Sequence, residues 1–133
     1  MPSFNLKIVT PYGVHYEGQA EAITVRSVTG DLSILPNHIN LVTALGTGKA
    51  SVTADGTSRT AACSSGVLSV LNNDVTVLAS TFEWKEDIDL DRAKESLEKA
   101  KEDLRNAKEK KATELAKIRV QRHLTRIDVK SDK

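Results

Sequence analysis

Arg119, Arg122 and Arg126 recur at spacings of three and four residues near the end of a 133-residue chain. On a helix their side chains fall within about 60° of one another. No acidic residue stands between Glu114 and Asp128 to neutralise them. Guanidinium groups gathered this way clamp phosphate, because each fork engages two oxygens at once. If the chain turns back near residue 110, Arg126 comes beside Arg92, and Lys99 comes near Arg119 and Arg122. A solvated basic flank, or a face for an acidic protein, needs the same spacing, so spacing alone leaves all three open. The other groups capable of chemistry are isolated. His15, His38 and His123 are scattered and Cys63 is the only cysteine, so metal-ligand spacing is absent. His38, after Pro36-Asn37, reads as a loop or packing histidine, and His123 as the edge of an apolar stripe. Cys63 reads as a small buried hydrophobe. Neither a G-x-x-x-x-G-K-[ST] phosphate loop nor a G-x-S-x-G elbow occurs. The expectation is a protein with no catalytic residues, no metal and no catalytic cofactor.

The elements that must position these groups divide sharply. Residues 1–84 hold four basic side chains (Lys7, Arg26, Lys49, Arg59) and six acidic ones. From totals of 19 Lys+Arg and 18 Asp+Glu, that leaves 15 basic and 12 acidic for residues 85–133. All seven glycines and all three prolines lie at or before Gly66. Turn-rich, weakly charged sequence therefore gives way to charged sequence without breakers, and two units are expected, 1–84 and 85–133.

The first unit reads as strands. Phe4, Leu6 and Ile8 alternate with polar residues, as do Ile23 and Val25, the period of a half-buried strand. Thr10-Pro11-Tyr12-Gly13 has turn chemistry. Asp55-Gly56, between Lys49–Ala54 and Thr57–Ala62, signals a type I′ hairpin. A second hairpin joins Val67–Leu71 to Val75–Ala79 across Asn72-Asn73-Asp74. Many short strands at such spacing imply an antiparallel sandwich or barrel.

The second unit reads as two helices. Leu90, Ala93, Leu97, Ala100, Leu104 and Ala107 form a narrow seam, with Asp87 or Asp89 as cap. That register fails near Lys108–Lys111, where a new stripe begins: Ala112, Ala116, Val120, Leu124 and Ile127. An antiparallel hairpin buries both stripes. The fold class is α+β, an N-terminal antiparallel β-sandwich followed by a C-terminal antiparallel two-helix hairpin. Because the break contains neither Gly nor Pro, straightening it into one helix from Ile88 to Ile127, on the order of 60 Å long, costs little. A hairpin able to open is a plausible switch.

Composition narrows the functional classes. A formal charge of +1 argues against nucleic-acid binding. One cysteine suits a reducing compartment. Met1 runs into a strand-like segment with no leader pattern, and no apolar run approaches the roughly 18 residues of a membrane span. The expectation is a soluble intracellular protein, or one held at a membrane only through partners.

Several segments match a known pattern in order. Gly30-Asp31-Leu32-Ser33-Ile34-Leu35-Pro36-Asn37-His38 resembles G-[ED]-L-G-I-L-P-x-H of the epsilon subunits of F-type ATP synthases. Ser64-Ser65-Gly66-Val67-Leu68-Ser69-Val70, followed by Val75-Thr76-Val77-Leu78-Ala79, resembles their S-G-G-F-x-E-V…V-T-V-L-A. Ser33 and Ser65 stand where the pattern has glycine. Thr10-Pro11-Tyr12-Gly13 is similar to T-P-x-G, and Ile88-Asp89-Leu90-Asp91-Arg92-Ala93 to I-D-x-x-R-A. The resemblance runs from Ile8 to Arg126. It implies a ten-stranded sandwich and a helical hairpin in the central rotor stalk of a bacterial, proton-translocating enzyme. The sandwich would meet the gamma subunit and the c-ring at the cytoplasmic face of the cell membrane, with Gly30, Asp31 and His38 as candidate rotor contacts. The hairpin would extend toward the alpha and beta subunits and there inhibit ATP hydrolysis. The resemblance further implies that ATP, as a regulatory ligand, favours the folded hairpin through Glu83, Ile88, Asp89, Arg92, Ala93, Arg122 and Arg126. The alternative is a free-standing ATP-sensing module.

Overall fold

Among the described residues eight strands precede two helices: β1 (Phe4–Thr10), β2 (Gly13–Ala20), β3 (Ala22–Ser27), β4 (Gly30–Ile34), β5 (Leu41–Leu45), β6 (Gly48–Ala54), β7 (Thr57–Leu71) and β8 (Asp74–Trp84). A 3-10 turn (Lys85–Asp87) leads into α1 (Leu90–Asn106) and α2 (Lys110–Ser131). The structure, a computed structural model, describes residues 2–131. Positions 1, 132 and 133, at the outer ends of the two predicted units, lie outside the described residues.

Left-handed backbone makes the tight hairpins. Asp55 and Gly56 have φ of 52° and 73°, and Ala54 pairs with Thr57 across them, the type I′ geometry. Asn72 and Asn73 have φ of 49° and 68°, with Leu71 paired to Asp74. The second turn is thus two residues long, with Asp74 already in β8. One pairing departs from the antiparallel expectation: β1 lies parallel to β8, with Asn5 opposite Asp74 and Val9 opposite Leu78. These two strands are joined only through the rest of the sandwich, so no tight turn constrains their direction.

The hydrogen-bonded path runs β2-β1-β8-β7-β5-β3-β4, with β6 against β3 and β7. Eight strands do the work of the ten implied by the resemblance because β7 and β8 each pass through both layers. Gly66–Leu71 and Asp74–Ala79 pair beside β5 and β1, whereas Ala61–Ser64 and Thr81–Trp84 pair beside β6. The bend falls at Ser65, whose φ of 44° breaks the extended run and whose N–H donates to the Gly46 carbonyl at 3.3 Å. At Gly66 the strands approach so closely that a Cβ would lie 2.0 Å from the Leu78 carbonyl oxygen, so only glycine fits. Ser33, the other serine at a family glycine, sits within β4, its hydroxyl 2.8 Å from that of Thr24. The period-two positions Phe4, Leu6, Ile8, Ile23 and Val25 all point inward and join Leu68, Val70, Val75 and Val77 in one buried core.

Asp89 caps α1 by accepting the Arg92 N–H at 3.1 Å, so of the two predicted caps it is the one used. Ala93, Leu97 and Ala100 are buried and Leu90, Leu104 and Ala107 half-buried, as the seam requires. The helices turn at Ala107–Glu109, with Ala107 extended. In α2 the outcome differs from the predicted stripe. Ala116 is buried and Val120 and Ile127 half-buried, but Ala112 is exposed and Leu124 is 42% exposed. A second face, through Arg122, Thr125, Arg126 and Val129, packs on β6, β7 and the 3-10 turn. A hairpin drawn without the sandwich needs one apolar stripe per helix. Here α2 lies between α1 and the sandwich, and its sandwich side is largely polar.

Candidate functional site

The polar side of α2 closes a cavity of about 340 Å³ against the sandwich. β8 contributes Phe82 and Glu83, β7 contributes Cys63 and Ser64, and His15 of β2 and Tyr12 stand opposite Arg122, His123 and Arg126. Arg126 is the main tie. Its Nε donates to Glu83 Oε1 at 2.7 Å, its Nη2 to Glu83 Oε2 at 3.4 Å, and its Nη1 lies 3.2 Å from His123 Nδ1. The two charged side chains are only 15% and 32% exposed, so water screens them weakly. Arg122 Nε donates to Ser64 Oγ at 3.4 Å, and Lys130 Nζ to the Lys85 carbonyl at 3.1 Å. Below these, Ile88, Ala62 and Val129 form a small apolar cluster.

Local environment tunes two groups. Burial, then the Arg126 and Arg122 guanidiniums, push the His123 imidazole below its ordinary value, with Glu83 opposing. Burial pushes the Cys63 thiol up to about 12, so Cys63 behaves as the small apolar residue its neighbours suggest. Among the described residues no group of three or more His, Cys, Asp and Glu side chains could hold a metal ion.

Of the predicted nucleotide residues, the structure brings Glu83, Arg122 and Arg126 to one cavity. Ile88 is buried under α2, Asp89 caps α1, and Ala93 is buried in the helix seam. The expected pairing of Arg126 with Arg92 gives way to the carboxylate of Glu83, because Arg122 and Arg126 lie on the sandwich-facing side of α2. Arg92, Lys99 and Arg119 are exposed and make no side-chain hydrogen bond or ion pair among the described residues. His123, His15 and Ser64 belong to the cavity although spacing did not join them. The signal for His123 was its place between Arg122 and Arg126.

Trp84 ends β8 beside Glu83. Its indole N–H donates to the His15 carbonyl at 3.2 Å, Phe82 packs edge-on at 4.9 Å, and the Arg59 guanidinium lies 3.8 Å over the ring. The ring therefore senses both the sandwich and the cavity wall.

The candidate rotor contacts lie elsewhere. Gly30 begins β4 with φ of 128°, Asp31 accepts from Arg26 Nε at 2.7 Å, and His38 is in the β4–β5 loop. That loop is tied to the β7–β8 turn, Asn37 N–H to Asn73 Oδ1 at 2.8 Å and Asn72 N–H to Asn40 Oδ1 at 2.9 Å. Leu35, Ile39 and Leu71 are exposed on these tied segments. A larger apolar surface crosses one layer. Ala44, Val67, Leu78, Val9 and Val14 are register partners in turn across β5, β7, β8, β1 and β2. On this outward row Leu78 is 54% exposed, and Val42 beside it 72%. The signal was present in Val67-Leu68 and Val77-Leu78, where both faces of a strand are apolar.

The chain is thus a bent-strand β-sandwich that carries a two-helix hairpin, fastened to it by polar contacts from α2, and that bears an apolar outer face. The ATP synthase delta/epsilon chain family matches at its beta-sandwich domain over residues 3–85 and at its long alpha-helix domain over residues 86–131. The chain belongs to this family. It is 38% identical over 130 residues, 97% of this chain and 94% of the other, to the ATP synthase epsilon chain of Caldanaerobacter subterraneus subsp. tengcongensis. Its fold is similar to a chain in the cryo-EM structure of the Euglena gracilis mitochondrial ATP synthase, OSCP/F1/c-ring in rotational state 1. The TM-score is 0.79 at 19% identity, covering 94% of this chain and 79% of that one. A chain in the Tetrahymena thermophila mitochondrial ATP synthase central stalk and c-ring gives a TM-score of 0.71 at 13% identity, with 96% of each chain covered.

Proposed function

We propose that this chain is a non-catalytic central-stalk subunit of a bacterial, proton-translocating ATP synthase, with a hairpin that regulates ATP hydrolysis and is held folded by ATP. The carrying observation is how α2 is fastened: Arg126 on Glu83 and Arg122 on Ser64, at the rim of a cavity of about 340 Å³. Guanidiniums already presented to a carboxylate and a hydroxyl suit a phosphate chain; Arg92, exposed on α1 and outside the cavity lining, is the third fork of the proposal. ATP bound there adds ties between α2 and the rest, and so favours the folded hairpin by mass action. Without it the breaker-free turn lets α1 and α2 extend toward the alpha and beta subunits.

The sandwich is the fixed part. The outward row from Ala44 to Val14 suits the gamma subunit, and the loop holding His38, with Leu35 and Ile39, suits the c-ring; Gly30 and Asp31 lie on the adjoining strand. No described helix is long and apolar enough to cross a membrane. The position proposed is peripheral, at the cytoplasmic face through the complex. A free-standing sensor has no use for such an apolar outer row.

Trp84 supplies the test. The full chain is titrated with ATP, with ADP as control, while its fluorescence is followed, and the titration is repeated with Arg92→Ala and Arg126→Ala. A saturable change lost in both variants supports the nucleotide-held hairpin. A flat titration, also flat by calorimetry, removes the sensor role and leaves a hairpin governed by its protein neighbours.

A further inference from the structure

We propose that His123 is a proton-operated release for α2: its neutral imidazole steadies the Arg126 guanidinium on Glu83, and its protonation loosens the helix from the sandwich. The hydrogen-bond chemistry requires the neutral form. A guanidinium has only donors, so the 3.2 Å contact between Arg126 Nη1 and His123 Nδ1 needs a lone pair on Nδ1. The ring proton then sits on Nε2. An imidazolium has no lone pair, so protonation turns this bond into an opposition of two N–H groups and puts a third cation beside Arg122 and Arg126. Among the described residues the carboxylate that bonds this group is Glu83, and it already receives two Arg126 bonds.

The surroundings supply nothing that reverses this. The charges that shift His123 are Arg126 and Arg122 on its own helix and Glu83 on β8. β7 contributes Ser64 and the Cys63 thiol, which stays neutral. Across the cavity stand Tyr12 and His15, the latter bonded to Thr10 Oγ1 at 2.7 Å. The depressed imidazole has the sign this geometry demands. An undocked helix returns His123 to its ordinary value of 6.5, so the undocked state binds more protons below it. Docking is at full strength above that pH and weakens as the pH falls through it toward the docked value. The slope reaches at most about tenfold per pH unit for one proton.

The inference concerns the docking of α2 itself and holds whether or not a nucleotide binds. It is tested on the full chain by native-state hydrogen exchange between about pH 5.5 and 7.5, above the range where ordinary carboxylates titrate. After correction for intrinsic rates, the open population of α2 amides rises as the pH falls, while amides of β1 and β3 hold steady. His123→Gln, whose amide oxygen still accepts from Arg126 but never charges, flattens the dependence; His15→Gln preserves it. Nitrogen and carbon NMR of the unmodified chain gives an independent reading: His123 as the Nε2–H tautomer, titrating below a free imidazole. Overturning results are α2 exchange that ignores pH, a slope that survives in His123→Gln, an Nδ1–H tautomer, or a His123 that titrates at or above the ordinary value.

Discussion

Replacing Glu83 by Gln keeps the shape of the side chain and removes its charge, and it should free α2 without harming the sandwich. Exposed ion pairs contribute about 0.2–1 kcal/mol, whereas breaking a buried one costs about 3–5 kcal/mol because a charge is left without its counter-charge. The Arg126–Glu83 pair, 15% and 32% exposed and 2.7 Å long, lies between these limits. Loss of about 2 kcal/mol of docking free energy follows, or a ~30-fold rise in the open population of α2. Arg122 and His123, which share the site, gain no compensating anion. The assay is native-state exchange of α2 amides at neutral pH, with Arg126→Met and the double variant completing a cycle. A coupling energy near 2 kcal/mol, confined to α2 and the 3-10 turn, is the expected result. A coupling below about 0.5 kcal/mol would place the pair with ordinary surface bridges, and the reading of Arg126 as the main tie would fall.

Three further outcomes follow from single contacts. Gly66→Ala puts a Cβ 2.0 Å from the Leu78 carbonyl, between two backbones, and should lower unfolding free energy by about 3 kcal/mol or more; a denaturant midpoint near wild type refutes the close approach. Asp89→Ala removes the carboxylate that accepts the Arg92 N–H, costing about 1 kcal/mol; the loss should appear as fraying of α1 in exchange data, with the sandwich unchanged. Cys63, 5% exposed and with its thiol pushed up to about 12, should resist a thiol reagent at neutral pH until the sandwich is unfolded, and rapid labelling of the native chain contradicts its burial.

What could be read in the residues, and what could not, follows from the range of the forces involved. Asp55-Gly56 and Asn72-Asn73 make their turns with their own backbones, and Phe4-Leu6-Ile8 makes an inward face by period alone, so those elements were legible. The bend at Ser65-Gly66 was not, because the need for glycine arises from Leu78 on the neighbouring strand. Nor was the parallel pairing of β1 with β8, which no turn announces. The same distinction governs the candidate site. Helical spacing put Arg122 and Arg126 side by side, and it was right to do so. It paired Arg126 with Arg92 because it considered only the two helices. The sandwich supplies a stronger partner in Glu83, which is distant in sequence from α2. It also turns the Thr125–Val129 side of that helix inward, leaving Leu124 of the predicted stripe exposed. A helix recruited to a sheet in this way needs polar residues on its docking face if it is to leave again. An apolar face of equal area would hold α2 shut, whereas guanidiniums on a carboxylate and a hydroxyl can be rehydrated or handed to another anion. The polar character that hid this face from hydrophobic periodicity is thus the property that the proposed opening of the hairpin requires.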